Sequence, residues 1–168
     1  MNEYLIYVPG MRRPKIVVTT LDRPIEELVR ITDQKTLAIW AADCAERVLP
    51  YFEEKYPGDE RPRTAIEACR EWVRTGVFRM ADVRKTSLAA HAAAREVQEE
   101  DAARSAARAA GQALATAHVS AHALAAARYA ATAVRDAAAD NPDADNAATR
   151  EREWQYHHLI RLREHRGS

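Results

Sequence analysis

The sequence predicts an all-α fold, a single-domain bundle of about six to eight helices preceded by a short extended or β-hairpin N-terminal arm. Three observations carry this expectation. Alanine dominates the second half of the chain, apolar residues recur at helical spacing, and aspartate, proline and glycine fall where helices begin and end. With 168 residues, five glycines and seven prolines, the chain can bury one continuous core and is poor in breakers. The expected division is an arm or hairpin over residues 1–20 and a helical domain over 21–168.

The arm is read from two β-prone runs, residues 4–8 and 15–19, on either side of Pro9, Gly10 and Pro14. A lone two-stranded ribbon is marginal in water, so it must pack on the helices or pair with another copy of the chain. Asp22 is placed to cap a short first helix through Ile25, Leu28, Val29 and Ile31, with Pro24 in its first turn. Asp33 caps the second. There Leu37, Ala41, Cys44 and Val48 make one apolar stripe with Trp40 beside it, and Pro50 is expected to end or kink the helix before Tyr51. A third helix opens near Asp59, carries Pro62 in its first turn, buries Ile66, Cys69, Trp72 and Val73, and stops at Gly76. A fourth runs from about Met80 to Val97 with Met80, Val83, Ser87, His91 and Ala94 on its inward face.

Residues 101–139 contain twenty alanines and no proline, so helix propensity is high throughout. One helix of that length would span about 60 Å, twice the width of a small domain. A break near Gly111 or Ser120, giving two antiparallel helices, is therefore expected. The turn cluster at residues 140–146 leads to a last helix from Ala147 to about Arg163, with Glu151, Trp154, His158 and Leu162 on one face and the neighbouring charges Arg150, Arg152 and Glu153 turned to solvent.

Twenty-five basic and twenty-five acidic side chains cancel, so no global field draws the chain to nucleic acid or an anionic membrane. Acids alternate with arginines along the helices, which argues against a nucleic-acid reader. Cys44 and Cys69 sit among apolar neighbours, the setting of reduced core thiols. Neither a secretory leader nor a run of about 18 apolar residues is present, so the expected location is the cytoplasm, with no membrane contact.

Few arrangements suggest chemistry. His118 and His122 are one helical turn apart, four residues being the spacing that lets two imidazoles ligate one metal ion, with His91, Asp43 or Cys44 as a third ligand. Their apolar surroundings and the lack of a partnering glutamate favour a structural, hydrogen-bonding role instead. His91 reads as a neutral core imidazole, His158 as packed and His157 as wet. Asp43 and Arg47, also four apart, can pair on the helix surface, or line a polar pocket with Arg61, Arg63 or His122 if other helices cover them. Nucleophile elbows, phosphate loops and Glu-x-x-His motifs are absent from the sequence. The chain therefore reads as a non-enzyme that needs no cofactor.

Four segments carry a resemblance to a known family. They are residues 37–53 (Leu37 through Trp40-Ala41-Ala42-Asp43-Cys44-Ala45 to Glu53), 61–68 (Arg61-Pro62-Arg63 to Ala68), 89–96 around His91, and 109–123 through His118 and His122; the closing Arg150 to Gln155 looks similar too. Over residues 36–163 the chain resembles the immunity-five-like helical domain family of bacterial immunity proteins. The first segment and Arg61-Pro62-Arg63 carry the most weight, because alanine-rich helices match one another readily. The resemblance implies a non-catalytic protein that binds and neutralises a cognate toxin in the cytoplasm of the producing cell. Gln112 stands where relatives often carry histidine, so a three-histidine site is not implied for the family.

Trp40, Asp43, Arg47, Arg61, Arg63, His91, His118, His122 and Trp154 are thus the candidate binding residues, with the cognate toxin as expected partner and self-association through the arm as a second contact. The competing reading is a metal- or small-ligand-binding helical domain with its pocket around Asp43, His91, His118 and His122. A self-associating scaffold is the third.

Overall fold

Seven α-helices and no strand make up residues 15–99 and 101–167, the part of the chain that the computed structural model describes. They are α1 (Asp22–Arg30), α2 (Gln34–Glu53), α3 (Arg61–Thr75), α4 (Met80–Glu96), α5 (Ala102–Ala115), α6 (His122–Ala137) and α7 (Ala144–Arg166). The expected fold class and helix number hold. Of the arm, residues 1–14 lie outside the described residues. Residues 15–20 form no strand: the Val17 amide donates to Thr132 Oγ1 on α6, 3.0 Å away, and Val17 packs on Ala131 and Ala148.

α5 sits at the centre, packed against α2, α3, α4 and α6. Its buried positions are mostly alanine, with Ser105, Gly111 and Leu114, and α6 likewise buries Ala123, Ala126, Ala127, Ala130 and Ala133. Side chains this short let helix axes approach closely. The bulk that fills the remaining space comes from α2, whose Leu37, Trp40, Val48, Leu49 and Phe52 are all buried. α7 closes the bundle against α6, α2 and α1.

The chain reverses between α5 and α6 over residues 116–121, so the break falls at Ser120 and not at Gly111. Gln34 Nε2 donates to the Thr116 and Ala117 carbonyls, 3.0 Å each, taking up acceptors that the end of α5 leaves open. Gly111 serves another purpose. A Cβ there would lie 2.8 Å from His91 Nε2, so the missing side chain is what lets the α4 imidazole rest on α5. Ser87, one turn before His91, donates to the Gly111 carbonyl at 2.9 Å.

Four local expectations need correction. Pro50 does not end α2, which runs on to Glu53; Pro50 and Glu46, whose carbonyl it cannot bond, are both exposed residues. Asp22 is the first residue of α1 and not its capping side chain, because its carboxylate accepts from Thr19 and from Arg152. Met80 is exposed, and the inward face of α4 begins with the part-buried Val83. Arg152 is not at the surface but wholly buried. By contrast Asp33 caps α2 through the Thr36 amide at 2.9 Å, and Gly76 ends α3 in the left-handed conformation at φ 69°.

Candidate functional site

The sequence candidates fall into two groups. The first lies along the outer stripe of α2, flanked by α3 and α7. Asp43, Glu46, Arg47 and Glu53 lie along this side of the helix, Glu46 and Arg47 three and four residues after Asp43, while the opposite face is filled by Trp40, Cys44 and Val48. α7 faces it with Glu151, Trp154 and His158, at steps of three and four.

Arg47 reaches across to Glu151 with two parallel bonds, Nε to Oε1 at 2.7 Å and Nη2 to Oε2 at 3.0 Å. Its guanidinium lies 3.8 Å over the Trp154 ring, and Trp154 in turn stacks on His158 with centroids 4.6 Å apart. His158 Nε2 meets Asp43 Oδ2 at 2.7 Å. The other Asp43 oxygen takes Arg70 of α3 at 3.0 Å, and Arg70 also holds Glu46. Asp43 and Arg47 thus do not pair with each other along α2; each is bound to a neighbouring helix. Its hydrogen bonds to the Glu151 carboxylate raise the pKa of Arg47, which stays charged.

Beneath this layer lies a buried polar network. Trp40 is fully buried and donates through Nε1 to the Gln155 carbonyl at 2.8 Å, which places it in the core and away from any partner. Gln155 Nε2 donates to the Ala127 carbonyl and Arg152 Nη1 to Gln155 Oε1, each at 2.8 Å. Arg152 Nη2 reaches Asp22 at 2.8 Å, while its Nε has no partner among the described residues. Burial pushes the Arg152 pKa down, and Asp22 works against that. Burial likewise raises the Cys44 thiol well above its ordinary value and Cys69 to about 12, so both are protonated, unreactive core thiols.

Arg61 and Arg63 stand apart from Asp43. Arg61 joins Asp59 and Glu96, tying α3 to the end of α4, and Arg63 grips Glu53 through two bonds at 2.6 and 2.7 Å, tying α3 to α2.

The second group is the three histidines, which gather around α5 and not around Asp43. His91 is half-buried against Gly111. His122 opens α6, and its Nδ1 meets Gln112 Oε1 at 2.7 Å. His118 lies in the exposed link before α6 and stacks on Phe78 at 6.1 Å. Because α5 stops at Ala115, His118 and His122 never share one helix face, and their four-residue spacing does not give ligand geometry. Burial first, then the nearby Arg108, Arg95 and His122, lowers the His91 pKa; burial and then His118 lower that of His122. Both rings are held neutral. Among the described residues no group of three or more His, Cys, Asp or Glu side chains is placed to hold a metal ion, and no helix is long and apolar enough to cross a membrane.

Arg70, Glu151 and His158 are members of the α2 cluster that were not among the candidates. The shared face of Glu151, Trp154 and His158 was a usable signal, since its steps match Asp43 and Arg47 across the interface. Nothing in the sequence marks Arg70.

These features define an alanine-cored, all-helical bundle whose charged side chains are bonded to one another across helices. The chain belongs to the family described as Imm-5 like putative immunity protein, whose model matches residues 27–162, from α1 to near the end of α7. No curated protein and no solved structure matches it.

Proposed function

We propose that this chain is the immunity partner of a bacterial toxin, binding the toxin directly and neutralising it without chemistry of its own, in the cytoplasm of the cell that makes both. The observation that carries this reading is the family match across residues 27–162. The packing supports it. The ionised groups of the α2 cluster are already answered by Glu151, Asp43, Glu46 and His158, as suits a rigid surface that changes little on binding and so loses little entropy. Such a partner needs no cofactor.

The test is co-expression in a sensitive host with the candidate toxin, the product of the neighbouring gene. The reading predicts survival and a stoichiometric complex on purification. Cell death at full expression of the folded chain, with no complex recovered, contradicts it.

A further inference from the structure

From Ala103 onward, α5 reaches solvent along one stripe only, formed by Arg104, Arg108, Gln112 and Ala115 at helical spacing. α4 and α6 both pack on α5 but not closely on each other, so the stripe is the floor of a trough with one helix on either side. From the α4 wall His91 rests against Gly111, one turn before the exposed Arg95. From the α6 wall His122 Nδ1 meets Gln112 Oε1 at 2.7 Å, and the Tyr129 ring lies 5.8 Å from the Arg108 guanidinium. The two imidazoles and Arg108 are thus positioned by contacts between helices before anything binds.

The charged groups that act on the His91 ring are Arg108 from the floor, Arg95 from its own helix and His122 from the opposite wall. All are basic, and among the described residues α3, the other helix packed on α4, adds none. His122 in turn feels His118 from the link before α6. Arg95 and Arg108 have no carboxylate partner among the described residues, and neither has the Gln112 amide nitrogen an acceptor. A lone unpaired arginine is ordinary on this surface, where Arg30 and Arg161 are others. Here two arginines and a second imidazole surround one half-buried ring with no carboxylate to answer them, an arrangement that an anion stabilises.

Resting on the immunity reading above, we infer that this trough is where the toxin is held, and that it takes a carboxylate side chain projecting from the toxin's surface. The carboxylate meets the planar fork of Arg108, which matches it with two parallel bonds. Arg95 adds its charge at the rim, and the Gln112 amide nitrogen is a further donor. A negative charge beside an imidazole favours the protonated ring, and both rings are neutral in the free chain. Binding therefore draws protons onto His91 and His122 and tightens as the pH falls from about 8 to about 6.5.

The experiment is calorimetric titration of the purified chain with the candidate toxin, the product of the neighbouring gene, its active site disabled for handling. Arg95→Gln/Arg108→Gln is expected to weaken binding at least about tenfold. Arg30→Gln/Arg161→Gln, which removes the same charge from exposed positions elsewhere, should stay within about twofold of the parent. Titrations at neutral pH in two buffers of different ionisation enthalpy should show proton uptake on binding, which His91→Gln/His122→Gln abolishes. Unchanged thermal unfolding of each variant confirms that the fold is intact. Binding as tight with Arg95→Gln/Arg108→Gln as with the parent, an equal loss from both arginine pairs, or binding without proton uptake each overturns the inference and leaves the immunity reading standing. No complex with the unaltered chain removes both. Inorganic phosphate that binds the chain more tightly than the candidate toxin does, and is lost in Arg95→Gln/Arg108→Gln, also overturns it, since a free anion then occupies the trough.

Discussion

Arg152 Nη2 donates to Asp22 Oδ1 across 2.8 Å, joining the middle of α7 to the first residue of α1 from inside the core. A guanidinium with no exposed surface is tolerable only while its partners remain, since removing one member of a buried pair strands the other.

Asp22→Ala should therefore cost about 3 kcal/mol, the lower end for a broken buried pair because Asp22 keeps some solvent contact. The double variant Asp22→Ala/Arg152→Met should recover most of that, because it removes the stranded charge as well. Urea unfolding at neutral pH measures both. Equal losses from the single and double variants would show that the buried charge is not what makes Asp22 necessary.

Arg47 acts on Trp154 and Glu151 together. Arg47→Ala should destabilise the chain by about 1 kcal/mol, small because the side chain is part-exposed. Arg47→Lys should recover less than half, since an ammonium cannot make the two-pronged bond to Glu151 and lie flat on an indole at once. A double-mutant cycle with Trp154→Leu reads the stacking contribution, and a zero coupling energy would dismiss it.

Gly111→Ala reverses a common rule. Replacing glycine within a helix usually adds up to about 1 kcal/mol of stability, but here the new methyl would meet the His91 ring at 2.8 Å. A net loss of about 1–3 kcal/mol is expected from overpacking. In His91→Ala the same substitution should become stabilising. Melting temperatures of the four-member set decide it.

The pH dependence follows from His91 and His122, both lowered from an ordinary value of 6.5. Below about pH 6.5 the unfolded chain takes up protons that the folded chain refuses, so stability falls with pH from there until the folded pKa values are passed. This precedes the loss from the lowered carboxylates Asp33, Glu53 and Asp59, which begins only as the pH nears their ordinary values of 3.8 to 4.5. His91→Gln should flatten the first decline and leave the second. An unchanged profile between pH 7 and 5 would mean that His91 titrates alike in both states.

Helix ends and core faces were legible because their causes are local. The Asp33 cap, the left-handed Gly76 and the Leu37 to Val48 stripe each depend on residues within a few turns. Gly111 misled because a helical glycine means either a break or a close approach, and only the position of His91 decides between them. Arg152 misled for a related reason: a charged residue in a charged run reads as solvated, and its burial depends on Asp22, 130 residues away. In the candidate site, Asp43, Arg47 and Trp154 do lie together, yet the expected links to His91, His118 and His122 fail because α5 ends one turn before His118. Pairings across helices such as Asp43 with His158 are set by the tertiary arrangement, to which a single sequence gives little access.

The central claim is that the chain acts by direct toxin binding. The most direct measurement adds the purified chain to the candidate toxin, the product of the neighbouring gene, and follows that product's activity against the molar ratio. The account predicts that activity falls linearly to zero at a fixed stoichiometry, by complex formation alone. Activity that persists at a large excess of folded chain, with no complex detected, would contradict it.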